Sequence, residues 1–179
     1  MACPTMRPAR LVVCCALLLG AALAAADAVD DAQQLLRAGD PAAALALAER
    51  TIAAQPRDAR MRFLKGVILA DQQRNAQAEQ VFRDLTLDFP ELPDPYNNLA
   101  VLYAADGRLQ DALAALQAAL RDDPQHRAAL ENLGDVHLAL AIAAWARAAS
   151  GARGDTTGLQ RKLRLAREIQ PAAAPRAPG

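Results

Sequence analysis

Cysteine is missing from most of this chain: Cys3, Cys14 and Cys15 all fall within the first 26 of its 179 residues. If that segment is removed, disulfides, thiol catalysis and cysteine-based zinc sites are removed with it. Histidine is nearly absent, and His126 and His137 lie 11 apart, which does not set them on adjacent helical turns as a metal pair. The one serine, Ser150, has no strand-to-helix elbow around it, and no glycine-rich phosphate loop is present. An enzyme is therefore not expected, and neither a metal nor a cofactor. Aromatic residues make up only 3% of the chain, so the larger hydrophobic contributions must come from Leu, Ile and Val. Apolar residues reach 53%, enough for a continuous core, but many are alanines, which favour helix and close approach while burying little area. Stability should then depend on how helices stack.

The N-terminal segment differs from the rest. Arg7 and Arg10 precede an uncharged apolar run of 16, Leu11 to Ala26, with small-residue cleavage sites at Ala22-Leu23-Ala24 and Ala24-Ala25-Ala26. A membrane span usually needs about 20 apolar residues. Residues 1–26 are therefore expected to be a signal peptide cut after Ala26 or Ala24, giving a periplasmic protein. The alternative is an uncleaved anchor in the inner membrane facing the periplasm. Bulky Val13 before Cys14 argues against a lipid anchor. The short leader, with Ala-rich and Arg-over-Lys usage, points to a bacterial chain. Formal charge is zero overall but unevenly spread. Residues 27–146 carry 11 basic and 18 acidic side chains, a net of −7, whereas residues 147–179 carry 7 and 2, a net of +5.

The remaining chain is periodic. Pro56, Pro90 and Pro124 stand 34 residues apart, as do Gly66, Ala100 and Gly134, and Ala44, Ala78, Ala112 and Ala146. Helix stops and starts fit between these markers. Gly39-Asp40-Pro41 ends one helix and opens the next, with Asp40 as its cap and Pro41 in its first turn. Arg74-Asn75 and Asp106-Gly107 mark later turns, and Pro90 to Pro95 blocks helix continuation, with Asp94 as the cap of the next helix. No Gly, Asn or Pro lies between Asp135 and Ser150, where another turn belongs near 140–142. One long helix from about Gln125 to Ala149, or a pair with a shortened turn, is expected there. Gly151 to Gly158 reads as a loop and Thr156 or Thr157 as a cap. A last helix to Ile169 carries Leu159, Leu163, Ala166 and Ile169 in one stripe. Residues 171–179, rich in Ala and Pro, should be disordered.

With Pro95-Tyr96-Asn97-Asn98-Leu99-Ala100-Val101-Leu102-Tyr103 as its best-matched stretch, the chain resembles the tetratricopeptide-repeat family over about residues 28–150. The resemblance implies an all-α, right-handed α-solenoid of three to four helix hairpins with a C-terminal capping helix. Its repeats would fall at about 25–58, 59–92 and 93–126, with a degenerate fourth at 127–150 and a loop and capping helix at 151–170. It also implies that front helices line a concave groove for a partner segment. Projected on this chain, the groove holds Arg60, Phe63, Val67, Asp94, Asn97, Asn98, Val101, Glu131, Asn132 and Asp135. Asn98 and Asn132, 34 apart, are candidates to bond an extended peptide backbone; alternatively both bond within their own helix pairs. Glu131 and Asp135 would favour a basic partner, or are a solvated helix face. Phe63 and Val67 stand where the family's carboxylate clamp would need polar groups. The basic last helix, Arg161, Lys162, Arg164 and Arg167, could meet an anionic membrane but is read as a cap, and export argues against nucleic acid. Trp145 is read as a core or end-cap ring. The function implied is a non-enzymatic adaptor of the cell envelope binding a protein or extended peptide, with membrane contact only through the leader. The rival is a self-associating structural subunit. Ala100 and Ala112 are expected where paired helices touch, so replacing either with leucine should cost about 1–3 kcal/mol in denaturant unfolding.

Overall fold

A computed structural model of the chain describes residues 28–152 and 154–169, and the expected leader and tail lie outside them. The described residues form α-helices joined by short turns, with no strand among them. In order these are α1 (28–37), α2 (Pro41–Ala54), α3 (Ala59–Asp71), α4 (Asn75–Asp88), α5 (Pro93–Ala105), α6 (Leu109–Asp122), α7 (Arg127–Gly151) and α8 (Thr157–Ile169). The chain divides into two compact units, Met1–Ile68 and Leu69–Gly179, with the boundary inside α3.

Three hairpins close with one hydrogen-bond pattern. Gly39 N donates to Leu36 O and Asp40 N to Leu35 O, each at 3.0 Å. Gln73 N donates to Ala70 O and Arg74 N to Leu69 O, each at 2.9 Å. Gly107 N donates to Ala104 O at 3.0 Å and Arg108 N to Tyr103 O at 2.8 Å. Each pair satisfies two helix-end carbonyls, and each needs one residue in the left-handed region. Those residues have φ of +80° at Gly39, +60° at Gln73 and +73° at Gly107, and they recur every 34 positions. The middle turn therefore pivots on Gln73; Arg74 is the N-cap of α4 and Asn75 is already helical. The next position in this series is Ala141, which lies inside α7. Nothing there supplies a positive φ, and the surrounding alanines favour helix, so α7 runs unbroken for 25 residues.

The helix starts use different chemistry. Asp40 Oδ1 accepts from Ala43 N at 2.9 Å, and Asp58 Oδ1 accepts from Met61 N at 3.0 Å. α5 begins at Pro93 rather than after Asp94; Leu92 is its N-cap, and Asp94 sits in its first turn. Asp94 is thereby released from capping its own helix.

Burial tracks the period. In the return helices Ala44, Ala78 and Ala112 are fully buried, as are Ala48, Phe82 and Leu116 one turn on. In the front helices Met61, Pro95 and Ala129 are buried, as are Ile68, Leu102 and Val136. The front-helix pattern reaches α7, but the return-helix pattern ends at Ala112: Ala146 is half-buried, and a Cβ at Gly134 would meet nothing within 4 Å. In the first unit Lys65 Nζ reaches Glu49 Oε1 at 3.2 Å, linking α3 to α2. In the second, α4 packs on α5, α5 on α6, α6 on α7 and α7 on α8, and front helices α5 and α7 also touch directly. Leu163 and Ala166 of α8 are buried, whereas Ile169 is 71% exposed and leaves the expected stripe. Among the described residues no helix is long and apolar enough to cross a membrane.

The turn geometry separates two substitutions in sign. Gln73→Gly should stabilise the protein by about 0.5–1 kcal/mol by relieving the left-handed penalty. Gly107→Ala should destabilise by about 1 kcal/mol although a Cβ there meets nothing within 4 Å. Urea unfolding of the two variants beside the parent chain measures both.

Candidate functional site

The predicted groove residues fall on three front helices. Arg60, Phe63 and Val67 belong to α3 and to the first unit, where Arg60 is exposed and the other two are half-buried. The other residues lie in the second unit, Asp94, Asn97, Asn98 and Val101 on α5 and Glu131, Asn132 and Asp135 on α7. Since α5 and α7 are in contact, these seven share one two-helix surface.

Most polar groups on this surface are turned to internal use. Asn98, 7% exposed, donates from Nδ2 to the Asp94 carbonyl one turn back at 2.9 Å. Asn97, also 7% exposed, accepts through Oδ1 from Asn132 Nδ2 at 2.8 Å, joining α5 to α7. Asn98 thus bonds within its own helix, whereas Asn132 bridges two repeats. A second bridge lies beyond the sequence-based expectations: His126 Nε2 is 2.9 Å from Asp94 Oδ1. Its tautomer is set by the other ring nitrogen. His126 is the N-cap of α7, and its Nδ1 accepts from Ala129 N at 3.1 Å. A backbone N–H can only donate, so Nδ1 is unprotonated, and Nε2 carries the proton given to Asp94. The sequence does hold a signal for this cap, because position 126 lies two periods after Asp58, the cap of α3.

What faces outward is small and acidic. Val101 is half-buried. Glu131 is exposed and takes Arg127 Nε at 3.2 Å, one turn away. Asp135 is exposed and has no ion pair among the described residues. Elsewhere in this unit Arg108 holds Glu79 through both its Nη atoms and lies 4.1 Å from the centre of the Tyr103 ring. Burial and the nearby Glu79 charge push the Tyr103 hydroxyl above its ordinary ionisation range. That cluster ties α4 to the α5–α6 turn.

Two tetratricopeptide-repeat family models match, one over residues 30–93 and the other over 93–126, together more than half of the chain. The chain is a tetratricopeptide-repeat protein. Solved structures agree on the all-α solenoid fold. The second such domain of human RPAP3, solved in complex with the HSP70 peptide SGPTIEEVD, is 17% identical with a TM-score of 0.59, over 65% of this chain and 98% of that one. YrrB, described as having an unusual peptide-binding site, is 28% identical with a TM-score of 0.53, over 56% of this chain and about half, 52%, of its own length. MamA from Desulfovibrio magneticus is 17% identical with a TM-score of 0.57, over 81% of this chain and 75% of that one. No curated protein matches the chain.

The bridge between α5 and α7 has a measurable consequence. Asn132→Ala would leave Asn97 Oδ1 buried without its donor and should cost about 1–3 kcal/mol, whereas Asn97→Leu/Asn132→Leu, removing both groups, should cost less than the sum of the single changes. A double-mutant cycle in urea checks the coupling.

Proposed function

We propose that this chain is a non-enzymatic adaptor of the bacterial cell envelope, whose α5/α7 surface receives an extended segment of another protein. The observation that carries this reading is the direct pairing of two front helices, locked side by side by Asn97–Asn132 and Asp94–His126, with Val101, Glu131 and Asp135 left outward. Repeat proteins of the same fold have been solved with peptides bound, the RPAP3 domain among them. In this chain the donors of Asn98 and Asn132 already serve the scaffold, so a guest would be held by Val101 and by carboxylates rather than by an asparagine ladder. Asp135, one turn from the Arg127–Glu131 pair, favours lysine or arginine in the guest. The envelope assignment rests on Arg7 and Arg10 ahead of the apolar run to Ala26. Self-association is the second reading, favoured by Leu87 of return helix α4, which is 80% exposed.

A photo-crosslinking amino acid at Val101 or at Asp135 should capture one partner from envelope extract, and the same group at Leu87 should not. Equal capture from Leu87 would remove the α5/α7 surface from the reading. A crosslinked species of twice the chain mass, formed from Leu87, would establish the second one.

A further inference from the structure

Capping accounts for only one side of α8. Leu163 and Ala166 are buried and Leu159 is half-buried, so this line of side chains covers α7. Arg161, Leu165 and Ile169, spaced by four, form a separate row, and all three are exposed, Leu165 by 47% and Ile169 by 71%. Arg164 and Arg167 are exposed as well, and Arg161, Arg164 and Arg167 have no carboxylate partner among the described residues. Lys162 lies 5.6 Å from the centre of the Trp145 ring. The helix holds four cations and a single acid, Glu168, and the sequence after Ile169 adds Arg176 and no acid.

We propose that the outer side of α8 is a docking surface for an anionic phospholipid bilayer, with Leu165 and Ile169 entering the headgroup boundary and Arg161, Lys162, Arg164 and Arg167 meeting phosphates. Two features favour a bilayer over a protein. Exposed apolar side chains flanked by cations let a helix lie in a bilayer interface with the cations at the headgroups, whereas a purely electrostatic contact would leave Leu165 and Ile169 unused. A stable protein interface also needs about 800 Å² from each partner, more than a 13-residue helix with one side already spent on α7 provides. A bilayer requires no complementary shape. The proposal is independent of the α5/α7 reading and stands or falls without it.

Trp145 is the only tryptophan in the chain and lies under Lys162, so it reports on this end of the molecule. The full chain is mixed with phosphatidylglycerol/phosphatidylcholine vesicles, or with phosphatidylcholine alone, carrying a spin label near the headgroup. Trp145 fluorescence should be quenched by the anionic vesicles only, and the quenching should be reversed by salt at about 0.5 M. Arg161→Glu/Arg164→Glu should weaken binding by at least about tenfold. Leu165→Ser/Ile169→Ser should weaken it too, and circular dichroism should show unchanged helix content in both. Residues 1–26 are untouched by either variant, so attachment through them cannot produce the difference. Absence of quenching, equal quenching of the two variants and the parent, or salt-sensitive self-association by light scattering without vesicle binding would each overturn the proposal.

Discussion

A row of helix hairpins can be built only if the backbone reverses at fixed intervals, and here each reversal from front helix to return helix passes through one residue with positive φ. In this protein that constraint is met at Gly39, Gln73 and Gly107, each closing the same pair of backbone hydrogen bonds. The spacing of the reversals fixes helix length, and helix length fixes which side chains meet. Ala44, Ala78 and Ala112 are fully buried because each falls at one distance from its turn. A side chain with little area of its own then matters through the approach it allows, since neighbouring Phe82, Leu85 and Leu116 become fully buried too. The left-handed glutamine costs roughly 1 kcal/mol in this arrangement, and the two carbonyls satisfied by Gln73 N and Arg74 N offset that cost.

Packing of front helix against front helix sets the chemistry of the candidate surface. α5 and α7 come from successive repeats, so nothing in either hairpin alone aligns them. Besides the packing of α6 against both, two polar bridges join them directly, Asn97 to Asn132 and Asp94 to His126. A part-buried amide pair is directional: sliding one helix by a residue would break the bond and leave the buried Asn97 carbonyl without a donor. Such a pair specifies register more than it adds stability. The same bonds decide what a guest can find there. Amides that hold the scaffold are less available to a guest, which under the proposed function leaves that part to charge and one valine.

Much of this is legible in the residues. Prolines at 56, 90 and 124 and small residues at 66, 100 and 134 carry the period, and the Gly39-Asp40-Pro41 stop can be placed from sequence, cap included. Legibility fails where identity departs from register. Gln73 does not read as a pivot because glutamine has no turn preference, although its position relative to Gly39 and Gly107 is fixed by the period. Asp94 reads as a cap because Asp before Pro usually is one, yet Pro93 also accepts the first helical position and the helix starts there. The role of Asn97 is out of reach of sequence, because an amide on a helix face does not announce whether its partner is a guest or the next repeat. Only the placement of α7 decides that.

The C-terminal end obeys the same constraint. With alanine at 141 there is no reversal, so no return helix lies against Gly134, and the second half of α7 keeps Leu138, Leu140, Ile142 and Trp145 half-buried. An array that stopped there would expose an apolar strip to water. α8 reduces that exposure, and being outside the period it must satisfy only one side, the one carrying Leu163 and Ala166. Its other side is free of packing constraints, and the chain concentrates its positive charge at this end, a net of +5 over residues 147–179 against −7 over residues 27–146. The loss of one turn residue therefore has two effects: it ends the repeat, and it creates the place where a surface of opposite charge can be carried without disturbing the array.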